Sequence, residues 1–231
     1  GFATVAGSVL ALYVLWLEKI PGIAGHMLAA SIMSAPAALV ISKLIYPETE
    51  NTKTIDDLNL NIKKDSENAM DALGKGATDG LKLAANIGAM LIAFISILSM
   101  VNYTLDYVFQ INLQEILGYV FAPLAWMMGI PWEEANMVGR LMGEKIVLTE
   151  LIAYGTLGDL INNNMISDRS AIIASYALCG FANFGSIGIQ LGGIGAMAPQ
   201  KRNILSQIAL KAMIGGALAS WLTATIAGIL I

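Results

Sequence analysis

Charge is excluded from long stretches of this chain, and that exclusion limits what it can fold into. Of its 13 basic and 17 acidic residues, three lie in residues 1–45, thirteen in 46–82, two in 83–132 and twelve in 133–231. A helix crossing a hydrocarbon layer of about 30 Å needs roughly 20 mostly apolar residues. Five windows reach or approach that length: Phe2 to Leu17, Ile20 to Ser42, Leu83 to Leu105, Ser170 to Gln200 and Ala212 to Ile231. Soluble domains carry about 25% charged residues, whereas this chain carries 13%, with 56% hydrophobic residues and a mean hydropathy of +0.67. The fold class expected is all-α, a polytopic membrane protein.

Several function classes fall away. A net charge of −4 and a pI near 5.0 give no basic field for DNA or RNA. The single cysteine, Cys179, cannot form an internal disulfide. His-Glu-x-x-His, Gly-x-Ser-x-Gly, a phosphate loop and a cysteine pair are all missing, so an enzyme is not expected. The 12 methionines read as packing, and the only histidine, His26, reads as a surface or satisfied side chain. The chain opens with Gly1 inside an apolar stretch, without a basic region or small-residue cleavage site, and is read as a fragment rather than a signal peptide.

Pro47 to Lys82 holds eight acids and five lysines and reads as a solvated loop, with helix expected after Asp65. If it is cytoplasmic, eight basic residues fall inside (Lys43, Lys53, Lys63, Lys64, Lys75, Lys82, Lys201, Arg202) and four outside (Lys19, Arg140, Lys145, Arg169). That is the orientation the positive-inside rule favours.

Leu113 to Leu160 does not read as a span. Leu113 to Trp132 places Tyr119, Trp126 and Trp132 around an apolar body, as interfacial segments do. Beyond Glu133, Glu134, Arg140, Glu144 and Lys145 comes the run Ile146-Val147-Leu148-Thr149-Glu150-Leu151-Ile152-Ala153-Tyr154, closed by Gly155 and Gly158. Two half-length helices meeting near Thr149 and Glu150 would form a re-entrant hairpin, tolerated at membrane depth only within protein or beside a water-filled cavity.

An internal repeat accompanies the hairpin. Gly1-Phe2-Ala3-Thr4-Val5-Ala6-Gly7 resembles Gly180-Phe181-Ala182-Asn183-Phe184-Gly185-Ser186, at an offset of 179. The later copy lies in a window of 31 residues, about 46 Å if wholly helical, and six glycines between Gly180 and Gly195 make a break near its middle cheaper than a steep tilt. Repeats with broken helices and midplane polar groups mark secondary transporters.

Glu150 is the sharpest candidate. Buried unpaired it would cost several kcal/mol; the two readings are an ion pair with Lys145 and a ligand-facing role, and the second is preferred because intramembrane carboxylates are usually functional. As an acceptor-only group when ionised it suits a hydroxyl-rich substrate. Asn183 and Ser186 share a helical face or converge at the break, either as a polar site or as interhelical hydrogen bonds. By composition Phe181 and Val9 read as packing residues. Thr4 also reads as packing, although its hydroxyl, with the Val5 carbonyl, has the oxygen chemistry a hard cation takes.

These residues resemble the concentrative nucleoside transporters across nearly the whole chain. The strongest motif is Ala177-Leu178-Cys179-Gly180-Phe181-Ala182-Asn183-Phe184-Gly185-Ser186-Ile187, followed by Leu191-Gly192-Gly193-Ile194-Gly195 and Ala198-Pro199. Supporting matches are Gly1 to Gly7, Pro47-Glu48-Thr49-Glu50, Asn86 to Phe94, Phe121-Ala122-Pro123-Leu124-Ala125 and Gly129-Ile130-Pro131-Trp132. At the hairpin tip Thr149-Glu150-Leu151-Ile152-Ala153-Tyr154 stands where the family has Asn-Glu-Phe-Val-Ala-Tyr, and Thr4 stands where serine is frequent.

The resemblance implies a homotrimeric, cation-coupled nucleoside importer of the inner (cytoplasmic) membrane, multi-pass, working by alternating access on nucleosides such as uridine. Glu150, Asn183 and Ser186 would hold the ribose. Phe181 and Val9 would contact the base. The Thr4 hydroxyl and Val5 carbonyl would supply part of a sodium site, with sodium or a proton as the coupling ion. Residues 1–45 would end a first transport-domain repeat, 46–82 form the cytoplasmic loop, 83–112 a scaffold helix at the trimer interface and 113–132 an interfacial segment. Residues 133–164 would form the hairpin and 165–231 the last two spans of the second repeat. A further hairpin is expected upstream. The reading from a different class is an ion channel or gating membrane protein with pore-lining hairpins.

Overall fold

The computed structural model describes residues 1–47 and 66–231. Lys53, Lys63, Lys64 and the Glu48 to Glu50 part of the loop motif lie outside the described residues. Among those described, the regular structure is helical throughout.

Residues 1–6 are non-helical and lead into α1 (Gly7–Trp16), which a turn through Gly22 connects to α2 (Ile23–Ile45). The next helix, α3 (Ala69–Phe109), has 41 residues and is about 61 Å long. It joins the helix expected after Asp65 to the scaffold helix expected over 83–112 in one continuous rod, and polar residues build its first turns. The Asn68 side chain caps the Asp71 amide at 2.9 Å, and Asp71 pairs with Lys75 one turn later at 2.8 Å. The large apolar residues of these turns, Met70, Leu73 and Leu81, are exposed, so the cap and the ion pair rather than core packing hold the turns in the single chain.

Chain reversal after α3 is fixed by side chains. Gln110 adopts a left-handed conformation, and Asn102 accepts from the Leu113 amide and donates to Gln114 Oε1, both at 3.0 Å. A reciprocal Asn112–Glu115 capping box then opens α4 (Leu113–Met127). Helix α5 (Trp132–Val147) packs on α4 at backbone contact: a Cβ added to Gly139 would lie 2.5 Å from the Gly118 carbonyl oxygen. Small residues permit such approach where solvent supplies no hydrophobic drive.

Only Leu148 and Thr149 separate α5 from α6 (Glu150–Asn162). This is a tight hairpin of two helices, each shorter than a span. Next, Ser167 and the Glu134 carboxylate cap the start of α7 (Asp168–Leu178); Glu134 accepts from the Ser167 amide at 3.1 Å and its hydroxyl at 2.8 Å. The chain unwinds over 179–183 and resumes as α8 (Phe184–Met197), so the fourth window is broken at its middle. A 3-10 turn, Pro199–Lys201, leads into α9 (Arg202–Leu230), which begins ten residues before the apolar window does.

Two helices, α2 and α9, are long and apolar enough to cross a membrane among the described residues. The other apolar windows include the half-length helices α1, α7 and α8. The main core gathers Tyr13 and Leu17 from α1, Met27 from α2, Leu141 and Met142 from α5, Tyr154 and Leu157 from α6 and Ile173 from α7. It lies where the hairpin meets α1, α2 and α7. Leu28, Ile32 and Leu39 on α2 and Ile229 and Leu230 on α9 remain exposed, as a lipid-facing surface requires.

Candidate functional site

Three interrupted elements build the site. The first is the hairpin tip. Thr149 is the N-cap of α6, its hydroxyl accepting from the Ile152 amide at 3.4 Å, so Glu150 occupies the first helical position. A carboxylate there stands at the positive end of the helix dipole. The second is the break between α7 and α8. Asn183 caps α8 with Oδ1, which receives the Ser186 amide at 2.7 Å. That bond fixes which way the amide points: Nδ2 faces the hairpin and donates to Glu150 Oε2 at 2.7 Å. Two half-helix N-termini therefore converge on one carboxylate.

The third element is α1, whose Tyr13 hydroxyl donates to Glu150 Oε1 at 3.4 Å. Glu150 is 4% exposed, and a carboxylate so enclosed needs such donors to offset lost hydration. It is not saturated, since two carboxylate oxygens accept about four hydrogen bonds. Ser186 is buried beside this network, and its hydroxyl has no partner among the described residues. Together the three side chains offer acceptors, an amide donor and a hydroxyl at one point inside an apolar body.

Lys145 does not pair with Glu150. It is fully buried on α5, and its ammonium donates to the Ala177 carbonyl at 3.0 Å. Ala177 lies in the last turn of α7, where carbonyls lack intrahelical partners and the dipole is negative. The direct ion-pair reading fails because the ammonium is drawn to the Ala177 carbonyl at the end of α7; its charge still acts on Glu150 through space, while Asn183 and Tyr13 make the side-chain hydrogen bonds to the carboxylate.

The remaining candidates lie around the two unwound stretches. Phe181 is half-buried within 179–183, its carbonyl accepting from the Asn183 amide at 3.0 Å. Val9 is half-buried in the first turns of α1, one turn before Tyr13. Thr4 and Val5 are half-buried in the extended stretch before α1. The hydrogen-bond ladder of α1 begins at the Ala6 carbonyl, which receives the Val9 amide at 3.1 Å and the Leu10 amide at 3.0 Å. The Thr4 and Val5 carbonyls precede the ladder and accept no backbone hydrogen bond among the described residues. That leaves oxygens available to a cation.

The two unwound stretches cross at Gly180. Its φ is 118°, and a Cβ there would sit 2.7 Å from the Ala3 carbonyl oxygen. Glycine is required by both the backbone conformation and the approach. The copies differ in one respect: α8 starts directly after its Asn183 cap, whereas α1 starts two residues later than the offset of 179 predicts. Ala6, at the N-cap position of α1, has no side chain able to fix that start.

Sequence reasoning missed Tyr13, Tyr154 and Ser220. Tyr13 stacks on Tyr154 with ring centroids 4.0 Å apart, and the Tyr154 hydroxyl donates to the Ser175 carbonyl at 2.6 Å. Ser220 on α9 donates to the Cys179 carbonyl in the break. The available signal for Tyr13 was its spacing, four residues after Val9 and so on the same face of α1. Nothing in the sequence singles out Ser220. His26 is satisfied as expected, its Nδ1 lying 3.2 Å from the Tyr176 hydroxyl.

Comparison with known proteins follows the same lines. Residues 26–228 match the family described as "Na+ dependent nucleoside transporter C-terminus". All of the chain aligns with an uncharacterized transporter, YutK, of Bacillus subtilis at 44% identity, covering 57% of that protein. It also aligns throughout with solute carrier family 28 member 3 of Mus musculus at 42% identity, covering 35% of it. The chain thus spans about half the length or less of these relatives. The structure of CNTnw in an inward-facing substrate-bound state superimposes on 99% of the chain with a TM-score of 0.79 at 40% identity, covering 55% of that structure. An all-α architecture with a hairpin, a broken helix and repeated unwound stretches thus coincides with likeness across the whole chain, and the protein belongs to the Na+ dependent nucleoside transporter family, matching its C-terminal portion.

Proposed function

We propose that this chain forms the substrate-binding half of a cation-coupled nucleoside importer that works by alternating access in the inner membrane. The observation that carries the reading is the Glu150–Asn183 bond of 2.7 Å, which joins the hairpin tip to the helix break with Ser186 beside it. A ribose presents adjacent hydroxyls that each donate and accept. Glu150 accepts from them, the second amide hydrogen of Asn183 donates to them, and the Ser186 hydroxyl does either. Phe181 and Val9 supply apolar surface to the base. The Thr4 hydroxyl and the Val5 carbonyl form part of the site for a co-transported sodium ion, in keeping with the sodium dependence in the family's description.

The hairpin, 133–164, and the spans in 165–231 move together in this account, while α3 serves as the scaffold of a homotrimer and 46–82 faces the cytoplasm. Because Glu150 and Asn183 meet through side chains, a ligand can exchange hydrogen bonds with the pair while the hairpin and α8 stay together. Liposomes containing the full-length protein and loaded with unlabelled uridine test the carrier directly. Labelled uridine should enter faster than into empty liposomes, and an inward sodium gradient should raise the initial rate while choline does not. Conductance without counterflow would contradict the proposal, and stimulation by external acid alone would assign coupling to protons.

A further inference from the structure

We propose that Tyr13 determines specificity at the hydroxyl-binding site: its phenol oxygen and Glu150 Oε1 receive one sugar hydroxyl between them. The inference rests on the nucleoside reading above and assigns to α1 a contact made by neither the hairpin nor the broken helix.

Two side chains from other elements donate to Glu150, and they do so unequally. Oε2 is committed to Asn183 at 2.7 Å, whereas the Tyr13 oxygen stands 3.4 Å from Oε1. Hydroxyl hydrogen bonds in proteins have oxygen separations of about 2.5–3.0 Å. The Tyr13 bond is therefore loose, and Oε1 is the carboxylate oxygen whose side-chain donor a ligand hydroxyl can most easily replace. A separation of 3.4 Å also suits a shared guest: one hydroxyl oxygen can lie about 2.8 Å from both atoms at once. Such a hydroxyl donates to Oε1 and accepts from the phenol, which matches the capacity of each group. An ether oxygen or a hydrogen in its place satisfies at most one of them.

The phenol is held in place and fully buried, so a hydroxyl enters as the Glu150 carboxylate, the looser partner, shifts to admit it. Tyr13 and Tyr154 are fully buried, their rings stack within 18° of parallel, and Tyr154 is tied to the Ser175 carbonyl at 2.6 Å. The phenol oxygen lies on the axis of its ring, so rotation of that ring leaves it in place. Among the described residues Glu150 is its hydrogen-bond partner.

The test is a comparison of binding by uridine, 2′-deoxyuridine and 3′-deoxyuridine to the full-length wild-type protein and to Tyr13→Phe, read by titration calorimetry in detergent. Tyr13→Phe should weaken uridine about tenfold while leaving one deoxy analogue, the one lacking the shared hydroxyl, within about twofold of its wild-type affinity. Tyr154→Phe removes a phenol facing Ser175 rather than Glu150, preserves the ring stack, and should leave the ratio of uridine to either analogue unchanged. Equal weakening of all three ligands by Tyr13→Phe, or unchanged uridine affinity, overturns the inference. Absence of uridine binding in the wild-type protein is a separate result, which overturns the nucleoside reading itself.

Discussion

At the scale of single residues, the site depends on how one buried carboxylate is shared. Asn183 does two tasks at once, capping α8 through Oδ1 and binding Glu150 through Nδ2. Asn183→Asp separates them. An aspartate retains the cap but replaces the amide donor with a second negative charge beside Glu150. The expected result is loss of uridine binding by at least ~30-fold, about 2 kcal/mol, with a folded protein by circular dichroism. Lys145 presents the converse case, a buried cation with a structural partner. Lys145→Met keeps much of the volume but leaves the Ala177 carbonyl without its donor, and should cost about 1–3 kcal/mol. A lowered melting temperature in detergent, with the Tyr13 selectivity pattern retained, is the outcome to look for. Its partner was illegible in the sequence, because a backbone carbonyl 32 positions away carries no residue signature.

At the scale of elements, what could be read early was what local chemistry dictates. Charges in a run too short to span revealed the hairpin, and glycines in a window too long to span revealed the break at 179–183. Gly180 carries both functions of that break, since its φ of 118° and the crossing of Ala3 exclude a side chain. Gly180→Ala should therefore destabilise the protein by several kcal/mol, the sum of backbone strain of about 1–3 kcal/mol and displacement of the first repeat's extended stretch. Aggregation on size-exclusion chromatography is the expected readout. Thr149 is milder: as the α6 cap, its replacement by alanine should cost about 1 kcal/mol, and asparagine, an equally good cap, should restore it. Helix after Asp65 was expected, but its continuity with the scaffold span was not legible, and neither was the Gly139 packing of α4 on α5, which rests on which helix happens to lie opposite.

At the scale of the whole molecule, the apolar composition is distributed between two environments. One part closes around Tyr13, Tyr154 and the hairpin; the other is displayed outward on α2, α3 and α9. Ile92, Met100, Tyr103 and Tyr107 on α3 are exposed in the single chain, and the scaffold role proposed for α3 would place them against neighbouring protomers. Cysteines placed at these positions should crosslink neighbouring copies in membranes, against a low background because Cys179 is buried. Species no larger than a monomer at all four positions would remove α3 from the subunit interface. Repetition organises the rest, with an unwound stretch from each repeat meeting at Ala3 and Gly180 beside the carboxylate that joins them. If Glu150, held by Asn183, receives the hydroxyls of a nucleoside, titration of uridine into the full-length wild-type protein should show saturable binding that weakens at least ~100-fold in Glu150→Gln; wild-type affinity in Glu150→Gln would contradict that role.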